Sequence, residues 1–292
     1  MDFNLSKKLS DYIWISGKMV PWDEAYIHVL THSLHYSGAV FEGIRAYEGK
    51  IFKLIEHSSR LIKSATAMHL KVNYSIDEIN QAIKDVLKKN NLKNAYIRPL
   101  MWRGAEALGT YNPVLSTNLL ILAQESNHPF KNGLRLVVTP WRKVGEDAMP
   151  PQSKSSAHYA MLSISLKMAL DQGYDDCLIL DRFDDIAECS TTNIFFGREG
   201  ELVTPIADRF LNGITRQTVI EIAKSIGIKV REKRLTLEDI TQYDTCFSTG
   251  TSAEIRGISA INIGEGKHLN FPNNDLVSKL QFEYGKLVGK KL

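Results

Sequence analysis

Nothing in the 292-residue chain stays apolar for the ~20 residues a membrane helix needs, so a spanning protein is not expected. Cysteine is scarce. Cys177, Cys189 and Cys246 form an odd, widely spaced set without a CxxC pair, which reads as reduced thiols of a cytoplasmic protein. Neither sign of charge is concentrated: the net charge is +3, the basic residues are scattered, and the densest run, Lys290-Lys291, reads as a solvated tail. Nucleic acid is therefore not an expected partner. Residues 1–11 carry Lys7 and Lys8 with no apolar segment behind them, which argues against a signal peptide. Internal repeats and low-complexity segments are absent. Proline is also sparse, nine in all, so the adjacent pair Pro150-Pro151 stands out.

That pair opens the stretch Met149 to Tyr159. Between Ala148 and Leu166 the only formally charged side chain is Lys154, in a chain that is 24% charged. The prolines fix the backbone ahead of it, and a helical pattern follows it. A lysine set apart from other charges suits carbonyl chemistry, because only the neutral amine attacks a carbonyl. Taken alone, Lys154 is better read as a surface lysine on a loop, since catalytic lysines are rare among lysines.

In chain order, Tyr12–Ile15 and Met19–Trp22 pattern as a hairpin. His28, His32 and His35 are spaced to share one helical face. A metal set would use that spacing, but no acidic or cysteine ligand lies close by, so a structural polar cluster is favoured and no metal is expected. Val40–Tyr47 and Ile51–Leu54 pattern as a second hairpin, with Gly43 where a ligand or another backbone comes close. Glu56–Leu70 and Ile76–Leu87 have helical periodicity. Asn94–Trp102 alternates as a strand that places Tyr96 and Arg98 on one face, and Thr117–Ala123 is an apolar strand. Gln124–Gly133 breaks the pattern and reads as a linker between domains 1–123 and 134–292. Beyond it come a strand at Leu134–Thr139 and a helix after Lys154 with Ala157, Ala160, Met161, Ile164 and Met168 as its apolar face. A strand at Asp176–Leu180 follows, and the chain ends in a helix at Leu276–Val288.

A second isolated charge lies further on. Between Ile186 and Gly197 the sole charged residue is Glu188. A carboxylate in such company needs a cation or strong donor; the candidates are the protonated nitrogen of a heteroaromatic cofactor, a nearby lysine or a backbone turn. Leu211–Thr215 then leads into a helix through Gly213, an arrangement that leaves N–H groups and the helix dipole open to a phosphate. Many loops enter helices this way. Ser248–Ala253, after a strand at Thr245–Phe247, is a second loop dense in hydroxyls. Two donor-rich loops with an isolated lysine and an isolated glutamate are more informative together than apart.

In order and spacing, Tyr36, Phe41-Glu-Gly-Ile-Arg45, Tyr96-Ile-Arg98-Pro99, Lys154, Glu188 with Asn193, Gly213-Ile-Thr215 and Thr249-Gly-Thr-Ser252 resemble the class IV aminotransferases, pyridoxal-phosphate enzymes of fold type IV. Phe-Glu-Gly-Ile-Arg and Tyr-Ile-Arg-Pro are the markers of the branched-chain amino-acid group. The similarity runs from about Tyr12 to about Ile263.

The resemblance implies an α/β (α+β) fold of two domains, a small α/β domain and a larger one with a pseudo-barrel sheet, with pyridoxal 5'-phosphate between them. It implies a homodimer at least, since each site borrows residues from a neighbouring subunit. Lys154 matches the Schiff-base lysine, Tyr159 the partner of the cofactor's phenolic oxygen, and Glu188 the partner of its ring nitrogen. Arg60, Gly213, Ile214, Thr215 and Thr251 match the phosphate seat. Phe41, Tyr96, Arg98, Thr251 and Ser252 match substrate contacts, and Tyr36 a residue supplied to the neighbour. The implied reaction exchanges the amino group of leucine, isoleucine or valine with 2-oxoglutarate, giving branched keto acids and glutamate. The alternatives within the class are a D-amino-acid aminotransferase and an aminodeoxychorismate lyase. Three departures stand out: Ser155 and Ser156 replace small apolar residues after the lysine, the linker offers only His128 and Phe130 as ring-bearing residues, and Ser252-Ala253 replaces Ala-Ala.

Overall fold

The computed structural model describes residues 8–126 and 132–290. The reading of residues 1–11 lies mostly outside these, as do His128 and Phe130 of the expected linker and Lys291 of the tail. The chain divides into two compact units, Met1–His128 with Ser153–Ala157, and Pro129–Gln152 with His158–Leu292. Lys154 and its neighbours thus group with the first unit, although the sequence places them in the 134–292 domain.

The first unit is a seven-stranded sheet with helices. Its elements are β1 (Tyr12–Ile15), β2 (Lys18–Pro21), α1 (His32–Tyr36), β3 (Ala39–Phe41), β4 (Ile44–Tyr47), β5 (Lys50–Ile51), α2 (Leu54–Ala67), α3 (Ile76–Lys89), β6 (Ala95–Arg103) and β7 (Thr117–Glu125). The strands run β2-β1-β7-β6-β4-β5, with β3 also on β6. The expected single strand at Val40–Tyr47 is broken at Glu42-Gly43, where the chain leaves β3 and re-enters as β4. Gln124 and Glu125 belong to β7 rather than to a linker, because they continue its ladder opposite Tyr96 and Ala95. Helix α3 begins with a capping box. The Ser75 hydroxyl accepts from the Glu78 N–H, and the Glu78 carboxylate accepts from the Ser75 N–H. Its buried side (Ile79, Ala82, Ile83, Val86, Leu87) joins Ile44, Ile97 and Ile121 in one core.

The second unit holds β8 (Leu134–Arg142), α4 (Ser156–Asp171, its first two residues in the first unit), β9 (Asp176–Leu180), β10 (Ile186–Cys189), β11 (Asn193–Arg198), β12 (Glu201–Thr204), α5 (Ile214–Ser225), β13 (Lys229–Glu232), β14 (Thr245–Gly250), β15 (Glu254–Gly264), β16 (Lys267–Asn270) and α6 (Asp275–Val288). Nine strands run β10-β9-β8-β15-β14-β11-β12-β13, with β16 on β15, and the sheet curls as a half-barrel. Parallel neighbours β8/β9 and β12/β13 are joined through α4 and α5, as parallel strands require a crossover.

Helix α4 differs from expectation. Its buried positions are His158, Leu162, Ser165 and Ala169, whereas Ala160 and Ile164 are exposed. The helix is nearly apolar all round, so periodicity alone could not select a face. The expected loop at Ser248–Ala253 also shortens. Ser248 and Thr249 are ladder residues of β14 paired with both β11 and β15, Gly250 pairs with β15 alone, and the turn begins at Thr251.

Candidate active site

In the first unit, Lys154 is fixed through its backbone. Its N–H donates to Ser64 Oγ of α2 at 3.0 Å, and its carbonyl accepts from the Phe41 N–H at 3.1 Å. The following serines pin the same segment to β3. Ser155 Oγ donates to the Ala39 carbonyl at 3.3 Å, and Ser156 Oγ donates to the Ser37 carbonyl at 3.0 Å. The two serines that depart from the family pattern are therefore staples of the lysine's backbone.

The Lys154 side chain reaches over Phe41, with Nζ 5.0 Å from the ring centroid. Arg98 lies 4.6 Å from the same ring and donates through Nη2 to the Tyr96 hydroxyl at 2.7 Å. Phe41, Tyr96, Arg98 and Lys154 are thus one group, two cations on an aromatic ring. Tyr96 presses against Gly43: a Cβ there would collide with the phenol oxygen. Tyr36 is not part of this group; on α1 it is 43% exposed and stacks on His32 at 4.8 Å.

Arg60, expected at the phosphate, meets Glu42. Its Nε donates to Glu42 Oε1 at 2.6 Å and its Nη2 to Oε2 at 2.8 Å, and His57 Nδ1 lies 2.7 Å from Oε2. Burial alone would raise the Glu42 carboxyl, but the Arg60 guanidinium and the His57 ring outweigh it and hold it well below the usual carboxylate range. Burial, with Arg60 and Lys154, lowers the His57 pKa against the opposing pull of Glu42. Sequence reasoning missed Glu42, although it is the one carboxylate in the largely apolar run from Ala39 to Tyr47; Arg45 in the same run kept it from standing out as Glu188 did.

The three histidines serve backbone groups. His32 Nε2 meets the Thr110 carbonyl, His35 Nε2 the Val29 carbonyl, and His28 Nδ1 accepts from the Leu30 N–H. No cluster of three or more metal-ligating side chains exists among the described residues.

In the second unit, a bulge in β10 between Ile186 and Glu188 breaks the alternation of the strand, so all four of its residues are buried. Glu188 Oε1 lies 2.6 Å from Lys143 Nζ, just beyond β8. Nothing in the sequence pattern marks Lys143, which sits in a charged stretch beside Arg142 and Glu146. Asn193 joins the two donor-rich segments. It faces Thr249 in the β11/β14 ladder, accepts from the Gly213 N–H at 3.1 Å, and donates to the Leu211 carbonyl at 3.0 Å. Only glycine fits at 213, since a Cβ would strike the Asn193 amide oxygen. Tyr159 packs at the start of α4 with Val137 and Leu162. Thr251 and Ser252 form the turn after β14.

These residues fit pyridoxal phosphate. The Gly213 N–H is taken by Asn193, but no side chain caps the first turn of α5, so the N–H groups of Ile214 and Thr215 are open to a phosphate. The Thr249 hydroxyl is buried without a hydrogen-bond partner among the described residues, and such a group calls for a ligand or water. Glu188 of the second unit offers a carboxylate; Lys154, in the first unit, separately offers an amine.

Residues 39–261 match the family model for amino-transferase class IV. A probable branched-chain-amino-acid aminotransferase of Rickettsia bellii is 54% identical over 95% of this chain and 96% of its own. The branched-chain amino acid aminotransferase of T.th. with pyridoxamine 5'-phosphate superposes with a TM-score of 0.89 at 33% identity, covering 98% of this chain and 96% of that one. The same enzyme complexed with N-(5'-phosphopyridoxyl)-L-glutamate gives 0.86 at 34%, covering 97% and 95%. The chain belongs to the class IV aminotransferases and, within them, to the branched-chain amino acid aminotransferases.

Proposed function

We propose that the residues described above carry out transamination between branched-chain L-amino acids and 2-oxoglutarate. The grouping of Lys154, Phe41, Tyr96 and Arg98 in the first unit is the observation that most supports it, because it supplies an amine, an apolar surface and a carboxylate-binding cation together. When bound, pyridoxal phosphate carries the amino group and takes up the electrons left at the substrate's α-carbon.

The protein's own residues do the rest. The Lys154 amine moves the proton to and from the substrate's α-carbon, and it is effective because its backbone is held on Ser64 and Phe41. Glu188 accepts a hydrogen bond from the protonated ring nitrogen, and Tyr159 donates to the phenolic oxygen. Gly213, Ile214, Thr215 and Thr251 hold the phosphate, with Arg60 as its cation. Phe41 and Tyr96, with Tyr36 from a neighbouring subunit, take the aliphatic side chain by area burial. Arg98 takes the side-chain carboxylate of glutamate, and the Thr251-Ser252 turn completes the substrate contacts. The glutamate adduct held by the T.th. enzyme supports a site that accepts both substrate types.

The chain self-associates at least to a dimer in this reading, which the exposed apolar side chains Val29, Leu34 and Tyr111 support. A cytoplasmic location is supported by three buried, unpaired thiols; no helix among the described residues is long and apolar enough to cross a membrane. The test is a substrate panel with 2-oxoglutarate. L-leucine, L-isoleucine and L-valine are expected to yield glutamate and D-alanine none; turnover of D-alanine in preference to all three would overturn the reading.

A further inference from the structure

The ion pair between Lys143 Nζ and Glu188 Oε1 is nearly sealed from water, with the two side chains 4% and 8% exposed. A carboxylate buried without a counter-cation takes up a proton or turns toward solvent, and a protonated acid is a poor acceptor for a cationic ring nitrogen. Lys143 is itself fixed, since its N–H donates to the Leu180 carbonyl of β9 at 2.8 Å. His158 is the other titratable ring of this cluster. Burial, and then Lys143, lower its pKa, and its Nε2 meets the Pro150 carbonyl at 3.1 Å, so the cation that faces Glu188 is Lys143.

We propose that Lys143 is a positioning residue that holds Glu188 by Oε1, leaving Oε2 as the acceptor for the cofactor's ring nitrogen. This rests on the assignment of Glu188 to that nitrogen. Lys143 touches neither substrate nor cofactor and acts only through Glu188. A side chain that merely fills space would tolerate an uncharged replacement of similar length, whereas a counter-cation would not.

The experiment first measures pyridoxal phosphate binding to each apoenzyme by equilibrium dialysis, expected to be weaker in Lys143→Met and restored in Lys143→Arg, and then follows in the holoenzyme the single-turnover conversion of the pyridoxal to the pyridoxamine form by L-leucine. Lys143→Met is expected to slow this step about tenfold or more while the leucine concentration for half-maximal rate stays within about threefold, and Lys143→Arg to restore most of the rate. Glu188→Gln is expected to be slow, and the double variant Lys143→Met with Glu188→Gln to be no more than about twofold slower than Glu188→Gln alone, because both changes remove one function. If Lys143→Met fails to fold, Lys143→Gln carries the same comparisons. Lys143→Met or Lys143→Gln at wild-type rate, or a double variant in which the two losses multiply, overturns the proposal. Glu188→Gln at wild-type rate overturns the Glu188 assignment beneath it, which is a separate result.

Discussion

Glu42 is wholly buried, with Arg60 on both its oxygens and His57 on one. Its pKa is depressed in the fold, so the sign of its linkage to stability is fixed. Above about pH 4.3 the carboxylate is ionised in both folded and unfolded chains and its stabilisation is fully present. As the pH falls below that, the unfolded chain binds a proton that the folded one refuses, and stability is lost. Glu42→Gln is therefore expected to be less stable by ~3–5 kcal/mol at neutral pH, since it strands Arg60 and His57, and its stability should fall less steeply than wild type's on acidification. Urea unfolding at a series of pH values measures both. Arg98, bound to Tyr96 and stacked on Phe41, bears on substrate choice. Arg98→Ala should slow the glutamate half-reaction at least about tenfold more than the leucine one, because only glutamate brings a second carboxylate to pair; an equal loss in the two would contradict this. At this scale the sequence spoke through isolation. Lys154 and Glu188 stood out as lone charges, whereas Glu42 shares its apolar run with Arg45 and went unread. Lys143 was hidden because its neighbours are charged and only the fold buries it.

Helices and strands were legible where one force dominated. In α3 the apolar period and the Ser75/Glu78 box agree, and the observed Ile76–Lys89 matches the pattern to within two residues. Ser75→Ala should cost about 1 kcal/mol, seen as a lower midpoint in urea denaturation with an unchanged slope. α4 was legible as a helix but not in its facing, since an almost uniformly apolar surface leaves the choice to tertiary packing. β14 extends through Ser248–Gly250 because backbone pairing to its neighbours outweighs the turn preference of serine and glycine. The break between β3 and β4 was unforeseen for a related reason. An alternating pattern does not reveal that Glu42 turns inward to hold Arg60, while Gly43 yields its space to Tyr96.

For the whole molecule, the order of the motifs from Tyr36 to Ser252 was enough to identify the family, because spacing along the chain survives where individual contacts do not. The division into units was less legible. Ser153–Ala157 leaves the surrounding sequence and groups with the first unit, through Ser64, Ala39 and Ser37. In the proposed assembly, exposed apolar residues such as Val29, at 74% exposure, are covered by a second copy. Val29→Asp is expected to weaken that assembly, and analytical ultracentrifugation across a dilution series should show the variant dissociating at higher concentration than wild type. In the proposed reaction, Lys154 is the amine that joins pyridoxal phosphate to this chain. The direct measurement is the absorbance of purified Lys154→Ala with added pyridoxal phosphate, beside wild type. Wild type should show the near-visible band of lysine-linked cofactor and the variant only the spectrum of free cofactor; a wild-type band in the variant would contradict the account.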